Sequence, residues 1–266
     1  MKIQMYSLAE QYREKGFIII KGFFKLTDVI LFNLALRNLI KHHLKEVGIK
    51  SADTFNEGLI ALDKKDHQRI VAIYETLRDS DALCSIVFYP SLLELIKELL
   101  GLGENRTLYM NAHSCRIDPP NDNRWTYKWH QQSYYSIFEA DEVQLWTPMV
   151  DRNTIEKGTL SVLLGSHKTE HVHYIEKNEA GHEQRFIPNE FVKDKFEEKF
   201  IELEPTDIIL FHPYLVHRSN PNVSKYVRYS LIASYANPYD PRFRIANIKE
   251  RGDYHRNRCL PAKITF

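Results

Sequence analysis

The chain has 266 residues, of which 43% are hydrophobic and 12% aromatic, and this is enough to bury a substantial core. Its 36 lysines and arginines are balanced by 35 aspartates and glutamates, so no global field draws it to nucleic acid or to anionic lipid. Three cysteines without a CxxC pair are typical of reduced thiols: Cys84, Cys115 and Cys259. No signal peptide or membrane span is recognisable, so the sequence predicts a soluble, cytoplasmic protein that inserts into no membrane.

The first hundred residues carry mainly helical patterns. "SLAEQYREKG" predicts a short helix that begins with a capping box, Ser7 and Glu10, and ends at Gly16. "FIIIKGFF" then predicts a buried strand. A second helix is predicted from Thr27 to Leu44, because apolar residues recur there at helical spacing.

Two further segments complete the N-terminal part. The polar section 51–66 has weak periodicity and is predicted to be a loop or lid. "SLLELIKELLG" predicts another helix, which begins with the capping box Ser91 and Glu94 and ends at Gly101.

After Gly103 the helical period gives way to short β-rich runs separated by turn residues. The six runs are "RTLYMNAHSCRI", "VQLWTPMV", "TLSVLLG", "KFIELEP", "DIILFHPYLVHRS" and "VRYSLIASYA". They predict a barrel or sandwich of antiparallel strands with the early helices packed against it. The charged insertion 168–199 is expected to lie over one mouth. The simplest organisation is one domain, 1–266, with a helical part to about residue 103 and a β core at about 104–240.

Three polar sites stand out in the β-rich half. His130 and Gln132 are two residues apart, so both side chains lie on one face if the segment is extended. His217 follows 87 residues after His130, and Arg228 and Ser230 are again two apart. Two histidines and a carboxylate form the facial triad of non-haem Fe(II), and an arginine suits a dicarboxylate such as 2-oxoglutarate. In this chain the third position of the triad is a glutamine.

Five segments resemble, in the same order, motifs of the phytanoyl-CoA dioxygenase family. They are "YREKGFIIIKGFF", "KWHQQ", "VQLWTPMVD", "EKGTLSVLLGSHK" and "HRSNPNVSKYVRYSL". The resemblance covers about residues 10–235. It implies a mainly β, α+β chain with a double-stranded β-helix (a cupin-like jelly roll), buttressed by N-terminal helices. It also implies Fe(II) and 2-oxoglutarate as cofactors and the hydroxylation of a small organic molecule.

Residue by residue, the resemblance implies that His130 and His217 bind iron, with Gln132 where the family has Asp or sometimes Glu. Arg228 matches the arginine that holds 2-oxoglutarate. Further cosubstrate contacts are implied at Ser230, Trp146 and Ser166.

Gln132 leaves three outcomes open, because a neutral amide offsets less of the metal charge than a carboxylate does. The amide oxygen still binds a functional iron, or two histidines and water hold the metal, or the chain has lost catalysis and kept a ligand pocket. Glutamine is too long to leave room for chloride, which disfavours halogenation. Asp151 or Glu139 can in principle replace the missing charge, although Asp151 ends a strand in a context that is usually structural in the family.

Other polar clusters have simpler interpretations. A group of histidines suggests zinc but lacks a second cluster, and is interpreted as a solvated loop: His167, His171, His173 and His182. The basic tail 241–258 either contacts an anionic group of the substrate or is a solvated face or subunit contact. Aromatic residues predicted to shape the substrate pocket are Tyr134, Tyr135 and Phe138.

Two rival functions remain at the level of sequence. One is a catalytically silent binding protein that keeps the fold and an anion pocket. The other is a metal-dependent isomerase or hydrolase on a cupin-like jelly roll. The substrate is expected to be chosen by the variable segments 51–66 and 168–199, which carry no readable code. The oligomeric state is left open.

Overall fold

The computed structural model describes residues 2–124, 126–135, 141–178, 181–192, 194–243 and 259–261. The N-terminal part is helical: α1 (Lys2–Lys15), α2 (Leu26–Glu46), a π-helix (Thr54–Gly58), α3 (Leu59–Lys65), α4 (His67–Arg78), α5 (Asp81–Val87) and α6 (Pro90–Leu99). The amphipathic helix α2 buries one stripe of apolar residues, which includes Phe32, Leu36 and Ile40. Within the described ranges no helix is long and apolar enough to span a bilayer.

The predicted helix boundaries are partly wrong. Helix α1 begins at Lys2, so Ser7 lies within the helix and not at its N-cap position. Its end is as predicted, because Gly16 takes a positive φ of 78° and its N–H donates to the carbonyl of Tyr12 at 2.8 Å. Helix α6 begins at Pro90, whose fixed φ suits a first helical turn, and so Ser91 is not a cap.

The segment 51–66 is helical and packed, which contradicts the prediction of a loop or lid. Phe55, Leu59 and Leu62 are buried at the spacing of one helix face. The phenol of Tyr229 donates a hydrogen bond to the carbonyl of Phe55 at 2.6 Å. This segment therefore supports the β core from outside.

The described strands form one sheet of five strands and two sheets of three strands. The strands are β1 (Phe17–Ile20), β2 (Tyr109–Asp118), β3 (Glu142–Pro148), β4 (Leu160–Leu163), β5 (His173–Lys177), β6 (Glu183–Phe186), β7 (Glu198–Ile201), β8 (Ile208–Phe211), β9 (His217–Ser219), β10 (Arg228–Ala236) and β11 (Cys259–Pro261). The major sheet has the order β1-β8-β3-β10-β2, and the minor sheet the order β7-β4-β9. The third sheet, β11-β5-β6, comes largely from the insertion 168–199, which also holds the short helix α7 (Asn189–Val192).

Successive side chains of a strand point to opposite faces of the sheet, and in the major sheet both faces are buried. Leu145 and Leu210 belong to the core that the sheet shares with the helices. Trp146 and Ile209 belong to a second core between the sheets, which includes Val162 of the minor sheet. The arrangement is a jelly roll with helices packed against its major sheet, as predicted.

One predicted strand is in fact two. The run "DIILFHPYLVHRS" forms β8 in the major sheet and β9 in the minor sheet, and the five residues between them make the crossing. This crossing brings His217 to the inner side of the jelly roll, next to Phe211, whose ring centroid is 4.8 Å from the imidazole.

Replacing Gly158 by alanine is expected to destabilise the fold by about 2 kcal/mol or more. Gly158 has a φ of +73°, and a Cβ atom there would lie 2.2 Å from the carbonyl oxygen of Asn220. Gly101, with a φ of +64° and no atom within 4 Å of the point that a Cβ would occupy, is the matched control. Urea unfolding of G158A and G101A separates backbone overlap from the cost of the left-handed conformation. If both variants lost the same free energy of unfolding, overlap of the new Cβ atom with Asn220 would not be the cause.

Candidate functional site

A cavity of about 380 Å³ lies between the two main sheets. Its lining is mostly apolar or aromatic and includes Trp146, Leu160 and Phe211. One side is closed by helix α4, which contributes Ile70 and Tyr74 at helical spacing and which was absent from the predicted elements. A concave, apolar space with a few polar groups is typical of a small-molecule site.

His130 and His217 face each other in this cavity. They form an antiparallel bridge in which each backbone N–H donates to the carbonyl of the other at 3.0 Å. Their ring centroids are 4.1 Å apart, and both residues line the cavity although each is only 5% exposed. The structure thus brings together two histidines that are far apart in the sequence.

The hydrogen bonds of the two rings determine their tautomers. Nδ1 of His130 is 2.7 Å from the carbonyl of Lys128, and Nδ1 of His217 is 2.8 Å from that of Leu215. Because a carbonyl only accepts, each Nδ1 carries the hydrogen, and each Nε2 keeps its lone pair. No described residue hydrogen-bonds to either Nε2.

Burial keeps both rings neutral. It lowers the pKa of His217 to about 4. Burial, and secondarily the neighbouring His217, lowers the pKa of His130 well below its ordinary value. Neutral imidazoles with a free Nε2 lone pair are the form in which histidine binds a metal.

Gln132 lies on the same side as His130, as the spacing predicts. Both line the cavity, while Gln131 between them points away and is fully buried. The amide nitrogen of Gln131 donates to the carbonyls of Thr169 and Tyr214, at 2.7 Å each. The side-chain amide of Gln132 makes no hydrogen bond to a described residue. It is therefore available to a ligand in the cavity.

No carboxylate joins the two histidines within the described part of the chain. No group of three or more His, Cys, Asp or Glu side chains there is arranged to hold a metal ion. Asp151 forms an ion pair with Lys157 and lines neither cavity, and Glu139 lies outside the described residues. The donor set is two imidazoles and one amide, which fits a divalent transition metal but gives it no charge compensation.

Arg228 is held by the protein itself. Its Nε and Nη2 donate to Oδ2 of Asp118 at 3.1 and 3.0 Å, and its Nη1 donates to the carbonyls of Lys157 and Asn220 at 3.3 and 3.1 Å. Arg228 does not line the large cavity. It lines a small adjoining one of about 10 Å³, which has room for about one water.

Arg116 and Asp118 were missed by the sequence analysis and lie at the same place. Oδ1 of Asp118 accepts from Nη2 of Arg116 at 2.8 Å, and Nη1 of Arg116 donates to the hydroxyl of Ser219 at 3.3 Å. Arg116 lines both the large and the small cavity. Burial alone would raise the pKa of Asp118, but the guanidiniums of Arg116 and Arg228 outweigh it, and the pKa is lowered.

The other three residues for which the sequence predicts a cosubstrate contact lie in different places relative to the two cavities. Trp146 lines both cavities, and Ser230 lines the small one, where its hydroxyl accepts from Asn153 at 3.0 Å. Ser166 lines neither. Its hydroxyl donates to the carbonyl of Leu163 at 2.7 Å and accepts from the N–H of Val216 at 2.9 Å. Ser166 therefore fixes the backbone between β4 and β9.

The histidine-rich segment has structural contacts. Nε2 of His173 accepts from the N–H of Gln131 at 2.9 Å, and Nε2 of His167 is 3.1 Å from the carbonyl of Arg13. The interpretation as a solvated loop is therefore wrong for His173, which is fully buried and begins strand β5. Tyr134 stacks on His173 with ring centroids 3.6 Å apart and does not line the cavity.

The cavity wall differs from the predicted one. No described residue of 51–66 or 168–199 lines the cavity, which contradicts the predicted role of these segments in substrate choice. Outside the strands of the two main sheets, the wall includes α4, part of 117–127 and Tyr135. Phe138 and the tail from residue 244 to 258 lie outside the described residues.

Comparison with known proteins gives consistent matches. The model of the phytanoyl-CoA dioxygenase family (PhyH) matches residues 12–230. A probable phytanoyl-CoA dioxygenase of Caenorhabditis elegans is 24% identical over 90% of this chain and 76% of that protein. The peroxisomal phytanoyl-CoA dioxygenase of Mus musculus is 27% identical over 79% of this chain and 62% of that protein. A 1-deoxypentalenic acid 11-beta-hydroxylase of Streptomyces exfoliatus is 34% identical over 68% of each chain.

Solved structures match over most of the chain. The epimerase SnoN in complex with Fe3+, alpha ketoglutarate and nogalamycin RO has a TM-score of 0.63 at 18% identity, covering 89% of this chain and 85% of SnoN. EctD from S. alaskensis with bound Fe has a TM-score of 0.60 at 19% identity, covering 89% and 78%. These likenesses confirm the predicted fold. The chain spans only 62–76% of the length of the first two relatives.

Proposed function

Because this chain belongs to the phytanoyl-CoA dioxygenase family of iron(II) and 2-oxoglutarate dependent oxygenases, we propose that it hydroxylates a small, largely apolar organic molecule. The observation that carries this proposal is the histidine pair. His130 and His217 line one cavity, and their Nδ1 atoms are bound to backbone carbonyls, so that each Nε2 keeps its lone pair. The cofactors of the family, Fe(II) and 2-oxoglutarate, suit this pair and the arginines beside it.

His130 and His217 would hold the iron, and Gln132 would complete the site through its amide oxygen. When bound, iron together with 2-oxoglutarate supplies the oxidising power that breaks an unactivated C–H bond. The protein fixes the two rings through the carbonyls of Lys128 and Leu215, at 2.7 and 2.8 Å. Such outer contacts orient metal ligands and raise their basicity.

The cavity walls exclude water and orient the substrate. Trp146, Leu160 and Phe211 surround the histidine pair with apolar surface. Tyr74 and Tyr135 also line the cavity, and the ring of Tyr135 packs against His130 with the ring centroids 5.3 Å apart. A volume of about 380 Å³ is at the lower end of the range for ligand pockets, so it favours a compact substrate once the cosubstrate is included.

A second candidate is a catalytically silent binding protein of the same family. Two observations favour it. Gln132 gives the metal a neutral amide where the family has a carboxylate, and the side chain of Arg228 is already hydrogen-bonded to Asp118. Under this alternative the cavity binds an organic anion without turning it over.

Anaerobic titration with Fe(II) and 2-oxoglutarate separates the two candidates. The oxygenase is expected to develop the weak visible charge-transfer band of a chelated complex and, after oxygen is admitted, to release succinate. H130A and H217A are expected to abolish the band, because one imidazole is too few to hold the ion. H42A is the matched control, since the His42 side chain is 64% exposed on α2. If the wild-type protein shows no charge-transfer band and releases no succinate, the result would favour the binding protein.

A further inference from the structure

Four residues on neighbouring strands form one row across the large cavity. Gln144 on β3 is the register partner of Phe211 on β8 and of Ser234 on β10. Ser234 is also the register partner of Ala112 on β2. Register partners point their side chains to the same face of a sheet, and all four residues line the cavity. They are called the Gln144 row.

The Gln144 row is separated from the arginines by apolar side chains. Trp146 and Ile232, the next register partners along β3 and β10, both line the cavity. Ser230, two residues further towards the start of β10, lines the small cavity beside the two arginines. The four residue steps from Ser234 to Ser230 span about 14 Å in an extended strand. The row is therefore a second polar region of the cavity, remote from the charged one.

The side-chain amide of Gln144 is held in one orientation. Its Nε2 donates to Oε2 of Glu142 at 3.1 Å, and its Oε1 accepts from the hydroxyl of Ser234. Because a carboxylate only accepts, the nitrogen of the amide and not its oxygen faces Glu142. All three residues are buried, and Glu142 does not line the cavity. The amide and the hydroxyl are thus fixed from behind by a carboxylate.

Two hydrogen-bonding positions are left on this pair. Nε2 of Gln144 carries a second hydrogen, and the hydroxyl oxygen of Ser234 keeps its lone pairs. Neither has a partner among the described residues. A buried donor or acceptor that stays unpaired costs free energy, which a ligand that pairs with it recovers. One donor and one acceptor side by side suit a group that itself both accepts and donates.

We propose that Gln144 and Ser234 bind a neutral substrate group that both accepts and donates, such as a carboxamide or a hydroxyl, and thereby select the substrate. This inference rests on the proposed function only for the reaction that follows binding. A carboxylate on the substrate suits the row poorly, because it only accepts and because the carboxylate of Glu142 lies one hydrogen bond away. An ammonium group only donates and leaves the hydrogen of Gln144 unpaired.

Three bridgehead derivatives of adamantane test the proposal, because they share one rigid apolar body and differ only in the polar group. The carboxamide accepts and donates, the carboxylate only accepts, and the ammonium only donates. Calorimetry on the complete protein, without iron or oxygen, gives their Kd values. In Q144L we expect the Kd of the carboxamide to rise about tenfold or more, because its oxygen loses a buried donor. The Kd values of the two ions should stay within twofold.

A second variant and a control accompany Q144L. S234A leaves the hydrogen bond between Gln144 and Glu142 in place, and it carries the test if Q144L does not fold. It removes the acceptor, so the Kd of the carboxamide should rise several-fold. The Kd of adamantyl methyl ketone, which has no N–H or O–H to donate, should stay within twofold in S234A. Q68L removes an exposed amide outside the cavity and should change no Kd.

The proposal is overturned if the carboxamide binds to Q144L within twofold of wild type, or if all three derivatives weaken equally. It is also overturned if S234A weakens the ketone as much as the carboxamide. Wild-type protein that does not bind the carboxamide would overturn it as well, even if Fe(II) and 2-oxoglutarate give the charge-transfer band. A missing band together with the expected changes in Kd would refute only the oxygenase.

Discussion

Replacing Gln132 by aspartate is expected to tighten Fe(II) binding by about tenfold or more, which is about 1.4 kcal/mol or more. His130 and Gln132 line the same cavity, and the amide of Gln132 has no described hydrogen-bond partner. An ionised carboxylate would offset part of the metal charge, whereas an amide offers only a carbonyl dipole. Anaerobic competition with a chromophoric chelator measures the change.

Three variants locate the origin of the effect. Q132E keeps the length of the side chain and adds only the charge, so it should tighten binding if the amide oxygen already reaches the metal. Q132A removes the donor and should weaken binding in that case. Q68E adds the same charge on the N-terminal turn of α4, outside the cavity, and should have no effect. Unchanged affinity in both Q132D and Q132E would show that this side chain does not contact the metal.

The outcome also bears on the three states that Gln132 leaves open. Weakened binding in Q132A together with succinate release would indicate a functional site with an amide ligand. Unchanged binding in Q132A with succinate release would indicate a metal held by two histidines and water. Tight binding and activity that appear only in Q132D would identify the natural chain as a binding protein.

Much of the fold could be predicted, because period-2 and period-3.6 patterns record which faces are buried. Helix α2 follows this rule closely, whereas β3 and β10 are buried on both faces and were recognised as β-rich runs. The capping boxes predicted at Ser7 and Ser91 failed because α1 begins at Lys2 and α6 at Pro90, so neither serine stands at an N-cap position. The helical segment 51–66 was missed because its periodicity is weak and it packs on residues distant in sequence, such as Tyr229, whose ring centroid is 5.7 Å from that of Phe55.

The site could be predicted where its residues lie two apart on locally extended backbone. His130 forms a β-bridge and Gln131 is extended, so Gln132, the first residue of a 3-10 helix, lines the same cavity as His130. Arg116 and Asp118 show the same alternation within the run "CRID", and this signal could have identified them. The pairing of Asp118 with Arg228 depends on the register between β2 and β10. No local sequence pattern specifies that register.

Arg228→Gln is expected to lower the free energy of unfolding by about 3–5 kcal/mol, the usual cost of breaking a buried ion pair on one side. The substitution removes two hydrogen bonds, at 3.1 and 3.0 Å, from Oδ2 of Asp118, which is itself only 6% exposed. Asp118 then keeps a buried charge with Arg116 as its remaining ion-pair partner in the described chain.

Urea unfolding of R228Q, R228Q/D118N and R152Q measures this cost. The double variant should recover a large part of the loss, because a neutral asparagine does not need a guanidinium. R152Q, at an exposed position, should change the free energy of unfolding by less than about 0.5 kcal/mol. A loss below about 1 kcal/mol in R228Q would contradict a stabilising role for the pair.

Acid provides an independent check of the same pair, because the two arginines lower the pKa of Asp118. A carboxyl group whose pKa is lower in the folded than in the unfolded chain contributes stability that is present above the unfolded pKa of about 3.9 and is lost as the pH falls through the folded pKa. With Arg228 replaced, the folded pKa of Asp118 should rise towards the unfolded value. The free energy of unfolding of R228Q should therefore fall less steeply below about pH 4 than that of the wild-type protein.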